Sequence, residues 1–343
     1  GFARLNYFPN GEVWLEYFGV TEDGEDKLLF SSRLYKKDLI DLEVDETIIP
    51  VDYAGRTAMV VGDSTYQAKG IKRLMMGSLN RELWLRPIEV PYLDLHKEKG
   101  GLSPIQVGGG MQSKSIRLKG GDGQQYVVRQ IKKNATFLVS KNMRNTFAQD
   151  VIYDGIAGSH PYASISIGRL SDPIGVYHTN PKLVYLPKDP VLADLQDEFG
   201  NSFCLFEERP NKDMSHMASV GKSKKVVGYN DMVEKVHEKP GHRVDERFTL
   251  RNRLFDMLIG DWDRHDDQWR WATFKGNGIT LYRPIPRDRD QAFFKFDGLL
   301  PNISNRKWLM RKFQNYGPEI RDIKGQNFNA RYFDRSWLTQ MSR

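Results

Sequence analysis

The spacing of apolar and polar positions changes character along this chain. Residues 1–18 read as two strands around a Pro9-Asn10-Gly11 turn, with a third strand completing residues 1–37. Residues 38–99 are mixed. Thr47-Ile48-Ile49-Pro50 reads as linker, Tyr66 to Trp84 carries basic and apolar residues suited to a helix, and Pro87 and Pro91 bracket an extended segment. From Gly100 the pattern sharpens. Residues 112–118 and 125–131 predict strands on either side of the Gly120-Gly121-Asp122-Gly123 turn. Asn142 to Ala157 then predicts a helix with Phe147, Val151, Ile152 and Ile156 on one side.

Residues 174–186 predict two strands broken at Asn180-Pro181, and residues 202–207 predict another. The polar stretch 211–243 reads as an insertion. Asp245 is placed to cap a helix running to Ile259, with Phe248, Leu254, Phe255, Leu258 and Ile259 apolar. Residues 301–343 read as helical packing. The expected fold class is α+β. Three strands around a Gly-rich turn, followed by a helix, is the element order of a kinase small lobe.

Composition narrows the function. Of 343 residues, 51 are Lys or Arg and 44 are Asp or Glu, a formal charge of +7 that favours anionic partners such as nucleotides or phosphorylated molecules. The basic residues are spread out; Lys222, Lys224 and Lys225 form the densest cluster and read as a solvated loop. No strand interleaves aromatic and basic residues, which argues against a single-stranded nucleic-acid binder. No run of about 18 apolar residues suggests a transmembrane helix. The lone Cys204 rules out an internal disulfide and a cysteine metal site, and reads as an inert buried thiol.

The candidate chemistry concentrates in residues 260–297. Asp263-Arg264-His265 is followed by Gln268, and about twenty residues later a strand runs into Asp288-Arg289-Asp290. Asp263 is the candidate catalytic base, able to orient an acceptor hydroxyl and take its proton. Asp288 and Asp290, two apart on extended chain, share a side and suit a divalent cation that bridges phosphates. Gln268 offers an amide oxygen to the same cation. Arg287 and Arg289 are the rival reading, neutralising the pair without metal. His265 is expected to brace its loop.

Upstream, Gly108, Gly109 and Gly110 leave backbone N–H groups free to approach phosphate, and Gln112 and Lys114 follow on one strand face. Arg129, on the strand at 125–131, is the candidate anchor for phosphates. Its expected partner lies on the next helix near Gln149 or Asp150, of which Asp150 alone can form an ion pair. Glu207 ends the strand where a kinase-like chain would cross between lobes and joins the candidate cofactor contacts.

These stretches resemble a family. Residues 100–297, with GDWDRHDDQ and PRDRDQAFF, look like the atypical kinase-like fold shared by the spore-coat CotH kinases, HipA toxin kinases, secretory-pathway kinases and lipid kinases. The CotH pattern has Trp where Arg287 stands. That resemblance implies a bilobal protein-kinase-like fold, with residues 100–208 as small lobe, 209–343 as large lobe, 38–99 as linker or small-lobe extension and 1–37 as a β-hairpin appendage. It also implies Mg²⁺ or Mn²⁺ with ATP or another phosphorylated nucleotide, and an acceptor that is a protein or a small molecule.

More narrowly, GGLSPIQVGGGMQSKSIRL, HPYA, GVYHTNPKLVYLP and LFEERP resemble a family of bacterial envelope proteins. There this region follows a calcineurin-like metallophosphoesterase domain, whose own metal motifs are absent here. That resemblance implies a periplasmic or outer-membrane-associated setting. The resulting expectation is a kinase-like phosphotransferase. Its alternatives are a pseudokinase-type binding module and a metal-dependent phosphohydrolase or nuclease.

Overall fold

The computed structural model describes residues 1–7, 13–20, 26–35, 51–109, 113–133, 146–306 and 312–338. They form a mixed α+β fold. β1 (Phe2–Tyr7), β2 (Val13–Val20) and β3 (Asp26–Tyr35) make a three-stranded sheet with β2 in the middle, both pairings antiparallel. Next, β4 (Thr57–Val60) pairs with β5 (Ile88–Pro91) around α1 (Gly70–Met76) and α2 (Arg81–Leu85).

The helix expected over Tyr66–Trp84 is therefore two short ones. The break is tertiary in origin. Gly77, at φ +87°, presses on the chain at Asp297, where an added Cβ would lie 2.0 Å from the carbonyl oxygen. The Asp297 carboxylate accepts from Leu79 N at 2.7 Å, an interaction no local pattern could announce. Trp84 is fully buried and donates from Nε1 to Ser159 O at 2.9 Å. Buried Arg81 pairs with Asp154.

A five-stranded antiparallel sheet follows: β6 (Leu102–Gly109), β7 (Lys114–Gly120), β8 (Gln125–Gln130), β9 (Lys182–Leu186) and β10 (Ser202–Glu208), in the order β6-β7-β8-β10-β9. One face packs Ile116, Leu118, Tyr126, Val128, Cys204 and Phe206 into a core. Cys204 has no exposure, and burial pushes its thiol up to about 12. Because strand side chains alternate, Ser115 and Arg117 take the opposite face.

The helices here are α3 (Phe147–Gly155), α4 (Ala163–Ser171) and α5 (Gln196–Phe199). Residues 142–145, expected to begin α3, lie outside the described residues. Of the two strands expected in 174–186, only β9 forms. Asp172–Ile174 makes a 3-10 turn closed by Gly175 at φ +65°, which ends α4 and turns the chain before a strand can start.

A four-stranded mixed sheet is ordered β11-β13-β14-β12, from β11 (Val226–Val227), β12 (His242–Val244), β13 (Trp269–Gly276) and β14 (Ile279–Pro286). β13 and β14 form a hairpin, while β12 runs parallel to β14. With α6 (Tyr229–Glu238), they show that residues 211–243 are built into the fold: Met232, Trp269, Trp271, Tyr282, Phe333 and Trp337 share one core.

α7 (Glu246–Leu258) starts as its sequence predicts, Asp245 accepting from Phe248 N at 3.0 Å. Its inner face differs from expectation. Leu254 and Leu258 are exposed, while Asn252, Arg253 and Asp256 are buried beside Phe248 and Phe255. α8 (Leu299–Ser304), α9 (Ile323–Gln326) and α10 (Arg331–Leu338) complete the described chain. Among the described residues, no helix is long and apolar enough to cross a membrane.

Candidate active site

The polar interior of α7 explains how the two acidic loops are held. Asp256 has no solvent exposure and faces three arginines. Arg253 Nη1 lies 2.6 Å from its Oδ2, Arg264 Nε lies 3.6 Å from the same oxygen, and Arg289 Nη1 lies 2.6 Å from Oδ1. The Arg289 contact is an ion pair out of line for a hydrogen bond. Arg264 comes from the loop carrying Asp263, and Arg289 stands between Asp288 and Asp290. One buried carboxylate thus tethers both loops.

Arg264 strengthens the tie, donating from Nη1 to Arg287 O at 2.7 Å and from Nη2 to Gln268 O at 3.2 Å. Gln268 O also accepts from Arg287 N at 2.9 Å. Asp261 closes the network 3.4 Å from Arg264 Nη1. Burial first, with Arg264 opposing it, pushes Asp261 up to about 7.

The tethered loops open onto a cavity of about 830 Å³ between the five-stranded and four-stranded sheets. That volume suits a small-molecule ligand. Asp263, Gln268, Asp288 and Asp290 all line it, as do Gly108 and Arg129 from the opposite sheet. Two acidic stretches twenty residues apart therefore share one space with the basic strand. A smaller cavity of about 60 Å³ lies against the same Arg129, Asp288 and Asp290 and reaches Glu207.

Arg129 Nη1 donates to Asp288 Oδ1 at 2.6 Å, and Lys133 Nζ lies 2.7 Å from Asp290 Oδ2. Burial works to raise Asp288, but Arg129 and then Arg287 outweigh it, and the carboxyl ends below its ordinary range. Burial likewise works to lower Arg129, and Asp288, Glu207 and Asp290 reverse it to a net rise. Glu207 accepts from Thr179 Oγ1 at 2.7 Å; burial carries its carboxyl upward, with Arg129 opposing. Asp288 adopts φ +56°, a left-handed conformation that Asp tolerates better than most residues.

Asp263 Oδ1 accepts from Asn329 Nδ2 at 2.7 Å. Lys312 also lines the cavity, 4.6 Å above the Trp262 ring; burial lowers its ammonium and Asp263 opposes the change. The Gln268 amide nitrogen lies 3.3 Å from His265 Nε2, so the histidine braces its loop through a side chain.

Several sequence expectations change place. Gly108 and Gly109 belong to β6, paired with Ser115 and Lys114; Gly110 and Gln112 lie outside the described residues. Lys114 shares the face of Ile116 and Leu118 and pairs with Glu198 at 2.6 Å, away from the cavity. The cleft-facing residues of that strand are Ser115 and Arg117. Asp150 is exposed on α3, and the carboxylate that meets Arg129 is Asp288. Of Arg287 and Arg289, the rival neutralisers of Asp288 and Asp290, Arg289 turns inward to Asp256 while Arg287 still acts on Asp288, and Arg129 and Lys133 pair with the two carboxylates.

Lys133, Lys312 and Asn329 were not foreseen. Lys133 had a signal, being the second lysine after the β8 strand. The other two sit in a segment with no recognisable pattern.

Among the described residues, no three of His, Cys, Asp and Glu converge as a metal cage. Asp288 and Asp290 side chains keep 28% and 30% of their surface exposed while lining the cavity. Two carboxylates and an amide suit a hard cation that fills its remaining places with phosphate and water.

No family model matches the chain, and no curated protein matches it. Among solved structures, the Helicobacter pylori proinflammatory kinase CtkA is similar at 15% identity and a TM-score of 0.27, the match covering 58% of this chain and 59% of that one.

Proposed function

We propose that this cleft binds a phosphorylated nucleotide with a divalent cation and transfers a phosphoryl group to an acceptor hydroxyl. The carrying observation is that Asp263, Asp288, Asp290 and Arg129 line a single cavity of about 830 Å³, with Lys133 paired to Asp290 at its edge. Asp263 orients the hydroxyl and takes its proton, with Asn329 fixing the carboxylate rotamer. Arg129 and Lys133 hold phosphate oxygens, exchanging carboxylate partners for phosphate. Asp288 and Asp290, with the Gln268 amide, are the residues that would hold Mg²⁺ or Mn²⁺, which when bound supplies charge neutralisation on the phosphates. The acceptor is a protein or small molecule, and the bacterial envelope setting follows from the resemblance of the sequence.

A single-turnover assay with γ-labelled ATP and Mn²⁺ over a panel of protein and small-molecule acceptors tests this. Asp263→Asn should lower transfer by about 10²-fold or more while leaving the melting temperature and nucleotide affinity near wild type. Undiminished transfer by that variant removes Asp263 from the chemistry.

A second reading, binding without turnover, is favoured by the ion pairs Arg129–Asp288 and Lys133–Asp290, which occupy both the phosphate and the metal groups. It predicts stabilisation by nucleotide and Mn²⁺ in a thermal melt with no labelled product.

A further inference from the structure

Four arginines meet at one side of the cleft, and the chemistry assigned above uses none of them. Arg117 stands on β7, Arg209 follows β10, Arg270 stands on β13 and Arg287 follows β14. Strands of two sheets and the residues that follow them thus place four guanidinium groups together. Arg117, Arg270 and Arg287 line the cavity directly. Arg209 lies behind them, 9% exposed, with Nη1 donating to the Gln125 amide oxygen at 2.6 Å. Arg117 donates to the Gln106 amide oxygen. The buried Nε groups of Arg209 and Arg270 have no hydrogen-bond partner among the described residues.

Burying like charges beside one another is unfavourable. Burial first, then Arg117, Arg270 and Arg287, push Arg209 down to about 9. Arginine keeps its proton in practice, so this depression registers burial and the repulsion of neighbouring guanidinium groups. Asp231 lies close enough to offset part of it at Arg270. Arg287 has Asp288, Glu207 and Asp267 as acidic neighbours. A planar fork of N–H donors held on strands is well suited to phosphate oxygens.

We infer that Arg117, Arg270 and Arg287, backed by Arg209, form a second phosphate subsite, so that the ligand of this cleft carries phosphate at two places. One group meets Arg129, Lys133 and the carboxylates, and the other meets the arginine wall. This specifies the ligand class within the function proposed above and rests on that reading for its biological setting. The anion site itself requires neither metal nor transfer. The second phosphate belongs either to a long phosphate chain on the donor or to a phosphorylated acceptor.

Calorimetric titration of the whole chain with inorganic tripolyphosphate, without divalent metal, tests the wall when wild type is compared with variants of the wall arginines. Wild type should bind, more weakly as salt rises. Arg117→Gln and Arg270→Gln should each weaken binding by about 10- to 100-fold. Thermal melts supply a second readout: Arg270→Gln should melt at or above wild type without ligand, because a like charge has been removed, whereas an arginine serving structure alone would lower the melt when replaced.

ATP added to the tripolyphosphate complex distinguishes the sources. Competition assigns the wall to the donor, and simultaneous binding assigns it to the acceptor. The inference is overturned if wild type does not bind tripolyphosphate, or if both variants bind it as wild type does. Failure of labelled transfer would leave these titrations unaffected, so the two proposals fall separately.

Discussion

Replacing Asp256 by Asn tests the claim that one buried carboxylate organises the cleft. The substitution keeps volume and one oxygen but removes the charge that faces Arg253 and Arg289 at 2.6 Å and Arg264 at 3.6 Å. The network balances Arg253, Arg264 and Arg289 against Asp256, Asp261 and Asp334, the last 2.7 Å from Arg253. Without Asp256, Arg289 loses its close carboxylate and Arg264 retains only Asp261. Breaking a buried pair from one side costs about 3–5 kcal/mol, a large part of the roughly 5–15 kcal/mol by which a folded protein is stable. At about 2 °C per kcal/mol for a chain of this size, the melt should fall by about 6–10 °C.

The matched control is Arg289→Met, which removes a cation whose pair is out of hydrogen-bond line and leaves two arginines facing Asp256 and Asp261. It should cost less than about 2 kcal/mol, since Asp256 keeps Arg253 at 2.6 Å and is not left as an uncompensated buried charge. Urea denaturation followed by circular dichroism measures both. A loss below about 1 kcal/mol for Asp256→Asn, or equal losses for the two variants, would refute the shared-tether account.

Other outcomes follow from the same geometry. Lys114→Ala should change nucleotide affinity less than about twofold and stability by less than about 1 kcal/mol, because an exposed pair with Glu198 contributes little; titration and melting check both. Asp261, raised to about 7, binds its proton more tightly folded than unfolded, so its contribution to stability declines as pH rises from about 4 to 7. Asp261→Asn should accordingly stabilise the protein at pH 8, the gain shrinking toward pH 4 in parallel denaturation curves. At φ +56°, Asp288→Asn should keep the fold, whereas Asp288→Val should cost about 1–2 kcal/mol more in the same denaturation assay.

The sequence carried the parts of this fold that depend on local order. The β7–β8 hairpin follows from alternation around Gly120-Gly121-Asp122-Gly123, and the start of α7 from Asp245 as cap. That Asp263, Asp288 and Asp290 line one cavity was legible because a loop, a hairpin and a strand end lie within forty residues. What escaped was set by distant contacts. Gly77 meeting Asp297 split an expected helix, and Asp256 meeting Arg289 turned one of the two rival neutralisers inward. Lys114 was misplaced by one step of strand parity, since the core on Ile116 and Leu118 claims the even positions. Asn329 reaches Asp263 from 66 residues away, beyond any local pattern.

The solitary cysteine gives this protein a built-in reporter. Its sulfur sits at zero exposure among Tyr126, Val128 and Phe206, with ionisation displaced to about 12, so alkylating reagents meet neither surface nor thiolate while the sheet is closed. Modification must wait for β10 to separate from its neighbours. The labelling rate, read by mass, therefore times the opening of the sheet that carries Arg129, and a ligand that clamps the cleft slows that clock.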